Sequence, residues 1–287
     1  MDLAVVAEKP RVKNTQKKEI KIQPIKDDKL FFESNDGRVK LYHNDSISFL
    51  KSLPNDSIDL IITDPAYSGM NQMLKLGKGK IIGTYKEKGG DEAKWFDEFH
   101  DTEENYIEFL RECHRVMKKD RHIYIMFDSF SLLSLAPVVR KVFDVKNIIC
   151  WDKAHIGLGH YFRRRHEFIL FASKGKRPIK SKAIPDIWKI KRVTKAVYPT
   201  QKPTEVFELM LKGSADKDFT VCDPFLGSGS SMIATIKNNC KFLGCDIALK
   251  SLTISKERAE TFLKEGVDIG QKTSLLSDDD LTNKLFI

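Results

Sequence analysis

The chain has 287 residues, enough to bury one large α/β core or one core with a small appended lobe. Its 49 lysines and arginines against 40 acids give a formal charge of +9, which favours a polyanionic partner such as nucleic acid. The five cysteines form no CxxC pair, which argues against a disulfide framework and a zinc site and for reduced thiols in a cytosolic protein, and no apolar run is long enough to span a bilayer.

The segment 1–29 lacks the pattern of a secretory signal and becomes a charged run from Lys9 to Lys29, interrupted by Pro10 and Pro24. It reads as a flexible basic tail, and 30–287 as a single domain. From about residue 38, strand-like and helix-like segments alternate. Val39–His43 reads as a strand, Ser46–Leu53 as a helix and Asp59–Thr63 as a strand. Glu103–Lys118 reads as a helix, because Tyr106, Leu110, Cys113 and Met117 recur at helical spacing. His122–Phe127, Asn147–Trp151 and His166–Ala172 read as strands. Thr204–Lys212 is a helix opened by Pro203 and closed by Gly213. Phe219–Cys222 and Phe242–Cys245 are strands, and Ser230–Asn238 and Leu249–Lys264 helices. The alternation argues for a largely parallel sheet covered on both faces.

Two stretches break this rhythm. Residues 71–90 hold five glycines, several lysines and little apolar periodicity. Residues 174–195 hold nine basic residues against one acid, Asp186. Both stretches attach beside chemically suggestive segments, so insertions at about 71–100 and 173–197 are expected to touch a nucleic acid, with Lys176, Arg177, Lys191 and Arg192 as contacts.

The first chemical segment is Asp223-Pro224-Phe225-Leu226-Gly227-Ser228-Gly229, after the apolar run Phe219–Cys222. A Gly-Ser-Gly turn between strand and helix lets backbone approach a ligand and aims free N–H groups at it. Asp223 at the strand end could pair with an ammonium group. Asp246 ends the next strand about 20 residues on, where an acid accepts hydrogen bonds from ribose hydroxyls. The loop is not G-x-G-x-x-G, so a cofactor with an amino acid end, a ribose and no phosphates fits better than a dinucleotide. S-adenosylmethionine is the obvious candidate, with Pro224, Phe225, Gly227 and Gly229 shaping its loop.

The second is Asp64-Pro65-Ala66-Tyr67, after Asp59–Thr63. The exocyclic amine of a nucleobase is a poor nucleophile, because its lone pair is delocalised into the ring. Two acceptors on the amino hydrogens would release that lone pair: the Asp64 carboxylate, and the Pro65 carbonyl on a stiff backbone. Tyr67 can stack on the base, worth about 1–3 kcal/mol. Duplex DNA hides the amine, so the base must be flipped out.

These segments make the chain resemble the amino-group DNA methyltransferases that carry Asp-Pro-Pro-Tyr, over roughly Val39 to Lys264. Asp56 to Tyr67 is similar to their catalytic segment, Tyr198-Pro199-Thr200-Gln201-Lys202-Pro203 to their His-Pro-Thr-Gln-Lys-Pro, and Asp223 to Gly229 to their cofactor loop. Catalytic segment first and cofactor loop last is the order of the β group. The resemblance implies a Rossmann-like α/β fold of the class I S-adenosylmethionine-dependent methyltransferases: a mixed seven-stranded sheet, its last strand antiparallel, with helices on both faces. It implies that Asp45 approaches the cofactor adenine and that Thr200 and Lys202 lie near its methionine end. It also implies that Trp151-Asp152-Lys153 and Arg163-Arg164-Arg165-His166-Glu167 lie near the target base and the DNA. Expected partners are double-stranded DNA, a homodimer and a cognate restriction enzyme, with no membrane and no metal, in a cytoplasmic, nucleoid-associated or phage-encoded protein.

Ala66 replaces the family's second proline and Tyr198 its histidine. The favoured activity is methylation of adenine N6 in duplex DNA. Cytosine N4 methylation, a catalytically silent DNA-binding subunit, and an amino methyltransferase acting on RNA or protein are the competing readings. Asp64 favours adenine, because the family's cytosine members mostly carry Ser or Thr there.

Overall fold

The computed structural model describes residues 29–65, 102–157, 161–194, 196–198 and 200–270. The basic tail 1–28, the 71–100 insertion and Tyr67 lie outside them. β3 (Ile58–Thr63) is buried at every position, because it lies mid-sheet with helices on both faces. Leu60 and Ile62 face one apolar layer and Ile61 the other, as the period of two requires.

The other strands are β1 (Leu30–Glu33), β2 (Val39–His43), β4 (Met117–Phe127), β5 (Asp144–Asp152), β6 (His166–Lys174), β7 (Ile187–Lys189), β8 (Thr220–Asp223) and β9 (Lys241–Asp246). They form one nine-stranded sheet in the order β1-β2-β9-β8-β3-β4-β6-β5-β7. The seven strands from β2 to β5 in this order are the mixed sheet the sequence implies, and β1 and β7 are short additions at its edges. The reversed strand of the seven is β6, not the last strand of the chain: β9 is parallel to both its neighbours. The chain turns straight back after β5, so β6 enters antiparallel between β5 and β4.

Helices α1 (Ser46–Ser52), α2 (Glu103–Val116) and α3 (Ser129–Val139) cover one face. Helices α4 (Thr204–Ser214), α5 (Ser230–Lys237) and α6 (Leu249–Glu265) cover the other. The first three are capped by side chains that accept from N–H groups of the first turn: Asp45 from Ser48, Thr102 from Asn105, Asp128 from Phe130 and Ser131. α6 stops at Gly266, whose φ of +70° is left-handed.

Three elements escape the sequence reading. α3 is apolar all round and carries Pro137, so it shows no helical stripe. β1 and β7 are too short to show alternation. The expected helix end also shifts: Met117 leaves α2 and pairs with Ile58 of β3, so β4 begins five residues early. Gly213 lies inside α4 rather than closing it; a Cβ there would come within 3.1 Å of the Tyr124 hydroxyl.

β3 continues to β4 on one side of the sheet, while β8 continues to β9 on the other. The crevice between β3 and β8 is therefore a topological switch point, where open α/β sheets bind ligands at the carboxyl ends of their strands.

Candidate active site

Four neighbouring strands end in acids on the same edge. In sheet order these are Asp45 after β2, Asp246 on β9, Asp223 on β8 and Asp64 after β3. All four line one cavity of about 300 Å³, together with Thr200, Lys202, Pro224, Phe225 and Gly227. Gly229 lies behind it as the N-cap of α5, with φ +76°; a Cβ there would sit 2.7 Å from Ser255 Oγ, so glycine is required.

Each acid does a different job. Asp246 accepts from the Gly227 N–H through Oδ2 and from the Ala248 N–H through Oδ1, both at 2.8 Å, which fixes the loop between β8 and α5 against β9. Asp223 is 1% exposed. Its Oδ1 accepts from Thr63 Oγ1 (2.9 Å) and the Phe225 N–H (3.0 Å), and its Oδ2 from Ser231 Oγ (2.5 Å). Burial pushes its carboxyl up to about 7, against the pull of those three donors. Asp45 caps α1 through Oδ1 while facing the cavity.

Asp64 receives a hydrogen bond from the Lys202 ammonium at Oδ2. Glu167 Oε2 is 3.6 Å from the same nitrogen, and Glu167 Oε1 is 3.1 Å from Lys153 Nζ. Burial alone would lower the Lys202 pKa, but the two carboxylates outweigh it and hold the ammonium above its ordinary value. Burial raises Asp64 above the usual aspartate value, and Glu167 adds to this while Lys202 opposes it. Glu167 is lowered, because Lys202 and Lys153 together overcome its burial. Pro65 is buried behind Asp64.

The segment around Lys202 is held by its own turn. Gln201 Oε1 accepts from the Val197 N–H and its Nε2 donates to the Gly270 carbonyl, while Thr200 adopts a left-handed φ of +60°. Tyr198, in place of histidine, accepts from Ser251 Oγ (3.1 Å) and lies against Gly227.

The basic residues do not form one face. Lys176 and Arg177 follow β6, which ends where Arg121 pairs with Lys174, at the amino ends of the parallel strands. From Arg121 to Phe127 the strand rises about 20 Å, so both residues sit a strand length from Asp64. Arg177 is moreover paired with Asp216 at 2.7 Å. Both therefore lie at the edge of the sheet opposite Asp64, and Lys176 is exposed there. Lys191 and Arg192 follow β7, whose Lys189 is in register with Asp152, and are exposed on the site's side. Arg163, Arg164 and Arg165 are exposed there too, though Arg165 forks onto Asp152 (2.6 and 2.7 Å) and Arg164 lies 3.6 Å from Asp128. Asp152 is held down at about 2, chiefly by that Arg165 bond.

A DNA methylase family model matches residues 58–257, from β3 into α6. The chain belongs to the DNA methylase family. Its methyl donor is S-adenosylmethionine. The chain is 27% identical over 254 residues to the type II methyltransferase M2.MboI of Moraxella bovis, covering 80% of this chain and 90% of that one. It is 25% identical to the DNA adenine methyltransferase YhdJ of Escherichia coli K12, covering 77% and 82%. Two solved structures share the fold: the M1.HpyAVI complex with S-adenosylmethionine (TM-score 0.55, 19% identity, 77% and 99% covered) and the cytosine-N4-specific PvuII methyltransferase (TM-score 0.58, 14% identity, 86% and 90% covered).

The cavity of the methylase fits this donor. Asp246 and Asp45 line it with carboxylates that can accept from hydroxyl and amino groups, and Phe225 and Pro224 offer apolar surface. The sequence placed Glu167 near the target base and the DNA only through the family resemblance, with no role for it beside Lys202, and gave no sign of the pair Arg258–Asp268. Arg258 donates to the Ser228 carbonyl and, at 3.0 Å, to Asp268, so a fully buried guanidinium holds the cofactor loop from behind. A charge in the middle of an otherwise ordinary amphipathic helix carries no mark in sequence.

Proposed function

We propose that this methylase transfers a methyl group to the exocyclic N6 of adenine in duplex DNA after flipping the base into the site. The observation that carries the proposal is the placement of the Asp64 carboxylate on the wall of the same cavity as Asp223 and Asp246. S-adenosylmethionine brings an electrophilic methyl carried on a sulfonium. Asp246 and Asp45 hold its ribose and adenine ends, and Asp223 faces its ammonium. Thr200 and Lys202 flank the methionine end.

Asp64 and the Pro65 carbonyl each accept one amino hydrogen of the target base. This draws the nitrogen lone pair out of the ring and aims it at the methyl carbon. A nitrogen–carbon bond forms as the carbon–sulfur bond breaks, its electron pair staying on sulfur. The proton then surplus on nitrogen is accepted at Asp64 and passes to water. The likeness to the adenine methyltransferase YhdJ supports adenine, as does a carboxylate rather than a hydroxyl at position 64.

The type II names of the relatives support a cognate restriction enzyme as companion. The proposed setting is cytoplasmic; no helix among the described residues is long and apolar enough to cross a membrane. A homodimer is the assembly to be measured by light scattering. The test of the activity is incubation of duplex DNA with tritiated S-adenosylmethionine, then digestion to nucleosides. Label in 6-methyladenosine is the expected result; label only in 4-methylcytidine would overturn the choice of base.

A further inference from the structure

The connection between β5 and β6 is rooted in the catalytic cluster. Lys153 leaves β5 and pairs with Glu167, the second residue of β6, which in turn faces the Lys202 bound to Asp64. Its two described limbs, 153–157 and 161–165, are braced near the root. The Lys153 N–H donates to the Arg165 carbonyl (2.9 Å), the Gly157 N–H to the Arg164 carbonyl (2.8 Å), and Arg165 to Asp152. Beyond this brace stand two consecutive aromatics, Tyr161 at 94% and Phe162 at 104% exposure. Neither has a ring contact or side-chain hydrogen bond among the described residues. Keeping two adjacent aromatic rings in water forgoes their burial, so the surface is held open for something other than folding.

The neighbouring charges say what meets it. Arg163, next in sequence, is exposed and has no ionic partner among the described residues. Arg164, whose guanidinium lies 4.9 Å from the exposed Phe130 ring, and Arg165 flank the same limb. Apolar rings in a rim of arginine match a polyanion with stacked, flat interiors. From His166, anchored opposite Asp152, four residues of chain reach at most about 13 Å, deeper than the roughly 8.5 Å of a B-DNA major groove.

We propose that Tyr161 and Phe162 form a wedge that enters the base stack of the duplex and fills the gap left when the target base swings out to Asp64. This rests on the reading of the chain as a base-flipping DNA methylase. The rings restore stacking for the orphaned neighbours, and Arg163 seats the limb on a phosphate. The wedge and the base acceptor are linked through Glu167 and Lys202, so entry of the one sets the distance to the other.

The test uses the full chain with Tyr161→Ala and Phe162→Ala combined, on duplexes carrying the site that the unaltered enzyme methylates. Transfer to the fully paired duplex should fall about tenfold or more, and a mismatch opposite the target base, which removes most of the extraction cost, should restore most of the loss. The ring-preserving pair Tyr161→Phe and Phe162→Tyr should keep near-normal rates. Equal loss on paired and mismatched duplexes, or no loss on either, would overturn the wedge. An unaltered enzyme that methylates no DNA would instead overturn the functional reading on which it rests. Unchanged thermal melting of the double variant separates a lost wedge from a lost fold.

Discussion

The Lys202 ammonium rests on Asp64 Oδ2 while lying 3.6 Å from Glu167 Oε2. The acid proposed to accept an amino hydrogen thus already holds a cation on one oxygen, and a second carboxylate stands beside that cation. Under the proposed mechanism Asp64 has its other oxygen for the amino hydrogen, while Lys202 stays between the two carboxylates and fixes the orientation of Asp64.

Glu167→Gln weakens the hold on Lys202 and so the orientation of Asp64. It should lower kcat about tenfold or more while changing cofactor affinity less than about threefold. Because Glu167 also helps raise the Asp64 carboxyl, its loss should move the acid limb of the kcat profile to lower pH. Steady-state kinetics across pH with calorimetry of the cofactor would check this. Normal kcat with weakened cofactor would show that Glu167 only shapes the cavity.

Asp64→Asn keeps the shape but loses the charged acceptor. Methyl transfer should drop by about a hundredfold or more, with the melting temperature and cofactor affinity little changed. Retention of near-normal turnover would move the chemistry away from Asp64.

The proposed place of Asp223 at the cofactor ammonium should give cofactor binding a pH signature. Its carboxyl, pushed up to about 7, is protonated below that value and must lose its proton to face an ammonium. Affinity for S-adenosylmethionine should therefore rise with pH, by at most about tenfold per unit below 7, and level off above. Calorimetry of the wild type and Asp223→Asn from pH 6 to 8 reads it. An equal slope in both would remove Asp223 from the ammonium end.

The fully buried Arg258 pairs with the mostly buried Asp268 and holds Ser228 of the cofactor loop. Asp268→Asn leaves a buried guanidinium without its counter-charge. It should cost about 3 kcal/mol or more, a fall of roughly 6–12 °C in Tm. Arg258→Met with Asp268→Leu should recover much of this in scanning calorimetry while leaving cofactor binding impaired. A single variant that melts normally would show that the pair is dispensable.

The two basic stretches should separate in salt. Neutralising Lys191 and Arg192 should reduce the log–log salt slope of DNA binding by about 0.9 for each phosphate that the protein no longer neutralises. Neutralising Lys176 and Arg177, at the other end of the strands, should leave the slope unchanged. Filter binding at several salt concentrations distinguishes them, and a reversed result would turn the DNA face over.

Much of this was legible in order along the chain. Strand-to-loop segments such as Ile58–Asp64 and Thr220–Gly229 announce themselves, because a buried parallel strand is a short apolar run and a close-approach turn needs glycine. Their residue types already suggest the chemistry proposed above: a carboxylate with a proline carbonyl for an amine, and an acid at the next strand end for a ribose. The sequence could not order the strands. Only pairing across the sheet sets Asp45, Asp246, Asp223 and Asp64 side by side, and only the reversed entry of β6 carries Glu167 to Lys202 and Lys176 away from the site. Local propensity is a property of neighbours in the chain. Charge balance at a buried site depends on Coulomb interactions between groups far apart in it: Asp64 and Lys202 meet across 138 residues.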